Sequence, residues 1–404
     1  MGVGLVLSAL RRHKLVMWLL VLEIALTCAI VCNALFSIAS HLERMELPSG
    51  VAEHELVLVQ MAYIGDRTDT KERAQTDLAA LQKIPGVKQV ALVNGVPFAT
   101  GSNTDIKLEP QQPQRSLNVG LFFGKNFVPT SGTRLIAGRG FRPDEFVDLS
   151  QAITALEKSD LKEFPRVAII TQATAQRLWP GQAALGRTVY VGNDFTLQVI
   201  GVVEHLEHFD RGGEYSMIVP INYDVPGGVY LMRCASRDRA RVLKAAVARL
   251  KQLDPNRVLL QERTFDQVRD DYFQSDDAMA GTLVGVCVAL LVVTALGIVG
   301  LASFWVGQRR KQIGIQRALG ATRGDVLRYF QTENFLIVSM GVALGTVLAF
   351  AINLELMKFN EMTRLPYFYV TIGAVVLWCL GQIAILGPAL RASNVPPMVA
   401  TRSV

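Results

Sequence analysis

The sequence predicts an α-helical membrane protein with four transmembrane helices and a large external α+β domain. Half of its 404 residues are hydrophobic and only 19% are charged, which is more apolar and less charged than is usual for a soluble protein. The apolar residues are concentrated in four segments, each long enough to supply the roughly 20 helical residues that cross a hydrocarbon core. These segments are residues 15–39, 278–306, 334–354 and 368–390.

The distribution of charge predicts how the chain is oriented. The polar region 41–275 contains 28 Lys+Arg and 28 Asp+Glu residues, so its formal charge is zero. The ends of the chain and the stretch 307–328 together contain eleven basic residues and a single acid, Asp325. Basic flanks of membrane helices stay in the cytoplasm. Both termini and the loop 307–327 are therefore predicted to be cytoplasmic, and the region 41–275 to be outside.

This arrangement divides the chain into three parts. Residues 1–40 form the cytoplasmic N-terminus and the first membrane helix, residues 41–275 the external domain, and residues 276–404 the remaining three helices, the loop and a cytoplasmic C-terminus. A signal peptide is an alternative interpretation of the first segment. Its apolar run of about 25 residues exceeds the 7–15 residues of a signal sequence and favours a retained helix. Cys234 is the only cysteine of the external domain, so no disulfide within that domain is expected.

The external domain is predicted to contain two βαβ halves that meet as one α+β subdomain. In each half a strand, a helix and a second strand follow one another, and the ranges in chain order are 55–63, 71–83, 87–95, 229–235, 238–253 and 257–265. Between the halves, strand-like segments separated by turn signals recur. They predict a β-rich inserted subdomain at about 125–225.

The loop 307–327 has a helical pattern of its own. Ile315, Ala318 and Leu319 recur at three and four residues, which makes a narrow apolar stripe on a helix. Gly320 follows the stripe, as a glycine at a helix C-terminus does. Thr322 and Asp325 then form a capping pattern that starts a new helix. The sequence thus predicts a short amphipathic helix, a stop and a second start.

Two strings resemble chemical sites, but another interpretation is favoured for each. The string 120-GLFFGKN-126 has too few residues between its glycines and no Ser or Thr for magnesium, so it is interpreted as a loop rather than a phosphate site. The string 204-EHLEHFD-210 contains residue types that suit transition metals, but a solvated turn is the favoured interpretation. We expect no catalytic residue, metal or cofactor in this chain, and no nucleic-acid partner.

Two acidic residues lie within the apolar segments. An ionised carboxylate at mid-membrane costs about 2.5–3.5 kcal/mol on insertion scales, so Glu23 is expected to face another helix or water. Substrate or proton handling is one interpretation of Glu23, and a packed, hydrogen-bonded or protonated side chain is the favoured one. Glu333 lies at the start of the third segment, where the N-terminus of a helix favours a carboxylate.

Two GxxxG patterns lie in the second and third apolar segments. They are formed by Gly281 with Gly285 and by Gly341 with Gly345. Small residues at this spacing let helices approach closely, so helix packing or dimerisation is their expected role. The membrane segments have neither a ladder of charges nor a broken-helix pattern, which favours a protein that transmits motion over one that forms a pathway.

The string QIGIQRALGATRGDVLRYFQTENFLI resembles the stretch between the second and third helices of MacB/FtsX-type ABC-transporter permeases. Positions that match the family pattern are Ile313, Gly314, Ile315, Ala318, Leu319, Gly320, Ala321 and Glu333. The segment 171–205 is similar to the MacB-type periplasmic core, and 387–403 to the end of the family's sequences. The resemblance therefore covers most of the chain.

The resemblance implies that the loop 307–327 is a coupling element that binds a cytoplasmic ABC ATPase. The residues expected to couple are Arg309, Arg310, Lys311, Gln312, Ile313, Gly314, Ile315, Arg317, Ala318, Leu319, Gly320 and Ala321. Gln312 replaces the Glu that is usual in the family, which removes one charge. The alternative is a basic loop that only sets topology and binds anionic lipid, and the Ile-Gly-Ile and Ala-Leu-Gly-Ala pattern favours coupling.

The function implied is that of a permease subunit of a MacB-like ABC transporter for efflux or export, located in a bacterial inner membrane. No nucleotide-binding domain precedes the first helix, so the ATPase, with its ATP and magnesium, is expected to be a separate chain. Further expected partners are a second permease chain, identical or paralogous, membrane lipids, a periplasmic adaptor and an outer-membrane channel. The alternative function is an FtsX-like regulator that transports nothing and controls a periplasmic partner such as a cell-wall hydrolase.

Overall fold

A computed structural model of the chain describes residues 14–62, 69–110, 117–158, 164–192, 195–208, 213–225, 227–360 and 364–394. The chain divides into two compact units. The membrane unit comprises Met1–Glu46 and Ser275–Val404, and the external unit comprises Leu47–Gln274. The external unit therefore begins and ends close to the boundaries 41 and 275 that the charge distribution predicts.

The helices and strands alternate through the external unit, whereas the membrane unit is helical. The helices are α1 (Lys14–Met45), α2 (Thr70–Gln82), α3 (Phe127–Ser131), α4 (Leu149–Lys158), α5 (Gln172–Leu178), α6 (Arg239–Leu253), α7 (Phe265–Ala318), α8 (Arg323–Asn360) and α9 (Tyr367–Ser393). The strands are β1 (Leu56–Ala62), β2 (Val87–Val93), β3 (Ser102–Lys107), β4 (Leu117–Phe123), β5 (Leu135–Gly138), β6 (Val147–Asp148), β7 (Val167–Thr171), β8 (Thr188–Val191), β9 (Phe195–Val203), β10 (Ser216–Val219), β11 (Ile221–Asn222), β12 (Val229–Cys234) and β13 (Val258–Thr264).

Among the described residues, four helices are long and apolar enough to cross a membrane: α1, α7, α8 and α9. Each contains one predicted apolar segment, so the predicted number of membrane helices is confirmed. The helices extend beyond those segments, most of all α7, which runs from Phe265 to Ala318. Hydropathy marks only the part of a helix that suits hydrocarbon, and helical hydrogen bonding continues into the polar residues on either side.

Helix α1 is the most buried helix of the membrane unit. In its most apolar stretch 61% of the residues are buried, against 17–28% in the other three helices. Close approach to α8 is possible because glycines face α1: a Cβ added at Gly345 would lie 2.5 Å from the Cβ of Cys28. The hydroxyls of Thr27 and Thr294, 2.9 Å apart, share a hydrogen bond between α1 and α7. A central α1 is thus held by both apolar packing and a buried polar contact.

The two predicted βαβ halves of the external unit form one four-stranded antiparallel sheet. The strand order is β13-β1-β12-β2, with β1 and β2 from the first half and β12 and β13 from the second. Helices α2 and α6 pack on the sheet over one shared apolar core that includes Leu81, Met232 and Leu250. Neither half could bury its apolar face alone, which explains why the halves pair across the chain.

The β-rich subdomain is larger than the predicted range 125–225. A seven-stranded sheet has the order β5-β9-β7-β10-β4-β3-β8, and an additional pairing of β9 with β8 closes six of these strands into a ring. Because β3 and β4 belong to this sheet, the subdomain begins near Ser102. The string 120-GLFFGKN-126, predicted as a loop, contains the end of strand β4, and Phe122 within it is fully buried.

Candidate functional site

The loop 307–327 is built from the end of α7 and the start of α8. No separate short helix is present, because α7 continues without interruption from the membrane segment to Ala318. The prediction of a short independent helix was therefore wrong. Gly307 and Gly314 are the helix-destabilising residues of this stretch, and each costs only about 1 kcal/mol inside a long helix.

Both predicted helix-end signals are present in the structure. Gly320 has φ +101°, a left-handed conformation that favours glycine, and its amide donates to the carbonyl of Arg317. The amide of Ala321 donates to the carbonyl of Gln316, which completes a Schellman motif. The side chains of Thr322 and Asp325 exchange hydrogen bonds with each other's backbone amides, as in a capping box. The turn between the two helices is thus fixed by hydrogen bonds at both ends.

One face of the end of α7 packs onto the membrane unit. Arg309, Ile313 and Arg317 are spaced four residues apart, so they lie on the same side of the helix. Ile313 is buried in an apolar cluster with residues of α8 and α9, including Phe330 and Ala389. The guanidinium of Arg317 donates to the carbonyl of Ser393 at the end of α9, at 2.9 Å. This face fixes the orientation of the helix end relative to α8 and α9.

The side chain of Arg309 belongs to this inner face and contacts α8, and its expected role in coupling stays a prediction. Its Nη1 lies 3.1 Å from Oε2 of Glu333 and 3.2 Å from the hydroxyl of Tyr329. The side chain of Glu333 is only 2% exposed and that of Arg309 only 18%. The predicted position of Glu333 near the N-terminus of a helix is wrong, because α8 begins ten residues earlier at Arg323. The Glu333 carboxylate is stabilised by Arg309 and not by a helix N-terminus.

The opposite face of the helix end is exposed and apolar. Leu319 is 82% exposed and Ile315 48% exposed, and Ala318 is also exposed. Gln312 lies on the exposed side, whereas Gly314 is buried. The structure describes only the backbone of Arg310 and Lys311. We refer to Ile315, Ala318 and Leu319 together as the coupling stripe.

The two GxxxG patterns differ in their surroundings. A Cβ at Gly341 would lie 2.6 Å from Cγ2 of Ile24, and Gly345 is equally close to α1. Nothing lies within 4 Å of a Cβ added at Gly281 or Gly285 among the described residues. The pattern of Gly341 and Gly345 thus packs within this chain. The expected packing role of Gly281 and Gly285 stays a prediction that needs another chain.

Glu23 lies on α1 against the backbone of α7. A Cβ added at Gly297 would lie 2.9 Å from both of its carboxylate oxygens, so the carboxylate packs closely against the glycine. In the part of the chain that the structure describes, no hydrogen bond or ion pair joins Glu23 to another residue. The prediction that Glu23 faces another helix agrees with this position, and its function stays a prediction.

Two residues of the site were not singled out from the sequence: Tyr329 of α8, which binds Arg309, and Ser393 of α9, which binds Arg317. Glu333 was singled out, but its pairing with Arg309 was not predicted. The sequence does contain an indication of the Arg309–Glu333 ion pair. An acid in a membrane segment is usually paired with a cation, and Arg309 is the first cation after the second apolar segment. Nothing in the sequence indicated the contact with Ser393.

The histidine string of the external unit forms a local ion pair. Nε2 of His205 lies 3.1 Å from Oε2 of Glu207, and this hydrogen bond raises the pKa of the histidine. Within the described ranges no group of three or more His, Cys, Asp or Glu side chains converges as metal ligands do. Asp210, the last residue of the string, lies outside the described residues.

The chain matches two family models. The model of the MacB-like periplasmic core domain matches residues 24–251, and that of the FtsX-like permease C-terminal domain matches residues 284–397. The coupling stripe and its supporting residues lie in the second match. The four-stranded sheet and the β-rich subdomain lie mostly in the first.

Curated relatives agree with these matches. The macrolide export ATP-binding/permease protein MacB of Shewanella sp. strain ANA-3 is 24% identical over 96% of this chain and 58% of its own length. The MacB protein of Shewanella oneidensis is 25% identical over 98% of this chain and 59% of its own length. The chain thus spans about three fifths of the length of these relatives.

Solved structures of the external part are also similar. The periplasmic region of MacB from Actinobacillus actinomycetemcomitans has 15% identity over 55% of this chain and 94% of that chain, with a TM-score of 0.34. The extracellular domain of the transporter YknZ has 18% identity over 50% of this chain and 100% of that chain, with a TM-score of 0.32. Because the periplasmic-core match alone covers more than half of the residues, the chain belongs to the MacB/FtsX-type family of ABC-transporter permeases.

Proposed function

We propose that this chain is the permease subunit of a MacB-like transporter and transmits ATP-driven motion from a separate cytoplasmic ABC ATPase to its external domain. The observation that carries the proposal is the exposed coupling stripe on a segment held in place by its other face. Full burial of a Leu or Ile side chain contributes about 1.5–3 kcal/mol, and Leu319 is 82% exposed. An apolar stripe at a hydrogen-bonded turn suits a partner groove.

The contacts of the inner face support transmission of motion. Arg309 binds Glu333 of α8, and Arg317 binds the end of α9. A displacement of the coupling stripe would therefore move two further membrane helices with α7. A loop that only set topology would require basic charge but none of these contacts.

The orientation follows from the charge distribution. With the positive-inside bias, both termini and the loop 307–327 lie in the cytoplasm, and the external unit lies in the periplasm of a bacterial inner membrane. ATP and magnesium are then bound by the partner ATPase on the same side as the coupling stripe. This placement is required for the proposed contact.

We further propose an assembly with a second permease chain, identical or paralogous. Gly281 and Gly285 on α7 support this, because α7 has the least buried membrane stretch, at 17%. A periplasmic adaptor and an outer-membrane channel would complete an efflux pathway. Since the curated relatives are macrolide export proteins, macrolide-like compounds are one proposed cargo class.

Co-purification tests the proposed function directly. The full chain is co-expressed with candidate ABC ATPases, and the ATPase rate of each complex is measured in proteoliposomes with and without the chain. We expect one ATPase to co-purify and to be stimulated by this chain. The proposal is wrong if no ABC ATPase encoded in the same genome as this chain binds it. It is also wrong if ATPases bind but their rate of ATP hydrolysis does not change.

A further inference from the structure

An open groove lies between the C-terminal parts of helices α2 and α6, which pack on the four-stranded sheet. It has a volume of about 810 Å³. Its floor is formed by Ala80, Ile84, Ala245 and Ala248, and its rim includes Lys83, Arg249 and Lys251. We call it the α2–α6 groove. Its size falls in the range of sites that accept a ligand or a peptide segment.

The floor of the α2–α6 groove is apolar and made of small side chains. Ala245 and Ala248 are three residues apart on α6 and therefore lie on one face of that helix. Ala80 and Ile84 are buried beneath the surface, with 7% and 8% exposure, while Ala248 is exposed. Because alanine side chains are small, another helix could lie in the groove and contact both α2 and α6.

The rim of the groove is cationic. Lys83, Arg249 and Lys251 are all exposed, and no acidic residue is among the described residues that line the groove. Two other cations of α6 have acidic partners, since Arg239 pairs with Asp266 and Arg241 with Asp238. Because the region 41–275 has no net charge, this concentration of positive charge is a local feature.

We propose that the α2–α6 groove docks an acidic amphipathic helix of a separate protein. The apolar face of such a helix would contact the alanine floor, and its acidic flanks would pair with the rim. A membrane surface fits less well, since a bilayer can reach the rim cations but not the recessed floor. The proposal concerns the external unit and stands whether or not the coupling stripe binds an ATPase.

The test uses the full chain in detergent micelles and a synthetic helical peptide with Leu and Ala on one face and Glu on the other. Binding is measured by fluorescence anisotropy. The rim variant Lys83→Glu/Arg249→Glu/Lys251→Glu should weaken binding at least tenfold. The control variant Lys125→Glu/Arg166→Glu/Arg177→Glu makes the same change in net charge at exposed positions of the β-rich subdomain and its flanks, and should weaken binding less than threefold.

A second pair of variants tests the floor. Ala248→Trp fills the groove without changing charge and should also weaken binding at least tenfold, whereas Ala183→Trp at an exposed position elsewhere should not. A peptide with Lys in place of Glu should not bind. Equal losses in the rim and control variants, or full binding by Ala248→Trp, would overturn the proposal. So would phosphatidylglycerol vesicles that bind through the rim while the acidic peptide does not bind.

Discussion

The external unit buries a complete ion pair between Asp77 of α2 and Arg257, just before β13. The Arg257 guanidinium donates to both carboxylate oxygens, at 2.7 and 2.8 Å, and the hydroxyl of Tyr230 donates to the same carboxylate at 2.5 Å. The side chains of Asp77 and Arg257 are 1% and 2% exposed. All three residues connect elements from different βαβ halves, so the pair links the two halves of the fold.

We expect Asp77→Ala to destabilise the external unit by about 3–5 kcal/mol, because it leaves the Arg257 guanidinium buried without its counter-charge. The measurement is a urea titration of the full chain in detergent, in which the folded fraction of the external unit is determined at each urea concentration from its resistance to protease. Asp69→Ala is the control, since Asp69 pairs with Arg73 at the surface and such pairs contribute about 0–1 kcal/mol. Similar midpoints for the two variants would contradict a structural role for the buried pair.

The Arg309–Glu333 pair makes an analogous prediction in the membrane unit. Arg309→Gln leaves a buried carboxylate and should lower the melting temperature of the detergent-solubilised chain. The double variant Arg309→Gln/Glu333→Gln removes both charges and should recover most of the loss, because a neutral pair has no uncompensated charge. Failure of the second substitution to recover stability would show that the ion pair is not what holds this face together.

The contact between His205 and Glu207 predicts a pH dependence. The hydrogen bond to Glu207 raises the pKa of His205 in the folded state. Its stabilising contribution is therefore fully present below the unfolded histidine pKa of about 6.5 and is lost as pH rises through the raised folded pKa. The stability difference between the native chain and His205→Asn should shrink as pH rises across this window. A difference that grows with pH would contradict the assignment.

Among the elements, the contact of α1 with α8 depends on glycine. A Cβ at Gly345 would lie 2.5 Å from the Cβ of Cys28 and 2.7 Å from the carbonyl oxygen of Ala25, so Gly345→Leu must push the helices apart. Overpacking of this kind costs about 1–3 kcal/mol or more. We expect a large loss of monodisperse protein in detergent. Gly300→Leu on α7 is the matched control, because nothing lies within 4 Å of its Cβ position among the described residues, and equal losses would contradict this packing.

Elements with a strong local sequence pattern were predictable, but the residues at which they begin and end were not. The apolar segments and the two βαβ halves follow from composition and periodicity. The strands β3 and β4 were missed because Gly120 interrupts the pattern of β4, whose burial is set by partners distant in sequence. The continuity of α7 was missed because charged residues 309–311 suggest a break, although charge does not end a helix whose backbone hydrogen bonds continue.

At the scale of the whole molecule, the sequence already separates the membrane unit from the external unit. The exposed coupling stripe, the turn at Gly320 and the cap at Thr322 were also predictable, since each depends on neighbours within a few residues. The inner face of the helix end was only partly predictable. The acid Glu333 indicates a nearby cation, but Arg317 cannot be distinguished from a cation that contacts a partner until its contact with α9 is known. Tertiary contacts thus distinguish Arg309 and Arg317, which bind α8 and α9, from the exposed cation Arg323.

The central claim is that the coupling stripe binds an ATPase, and one comparison of ATPase stimulation in matched proteoliposomes tests it most directly. Leu319→Asp would bury an unpaired carboxylate in an apolar contact, at a cost of several kcal/mol, and should reduce stimulation at least tenfold while membrane insertion is retained. Arg323→Gln/Arg328→Gln removes two exposed cations at the start of α8, next to the coupling stripe, and should have a milder effect. If the double Gln variant loses stimulation while Leu319→Asp retains it, the loop acts through charge and the account is contradicted.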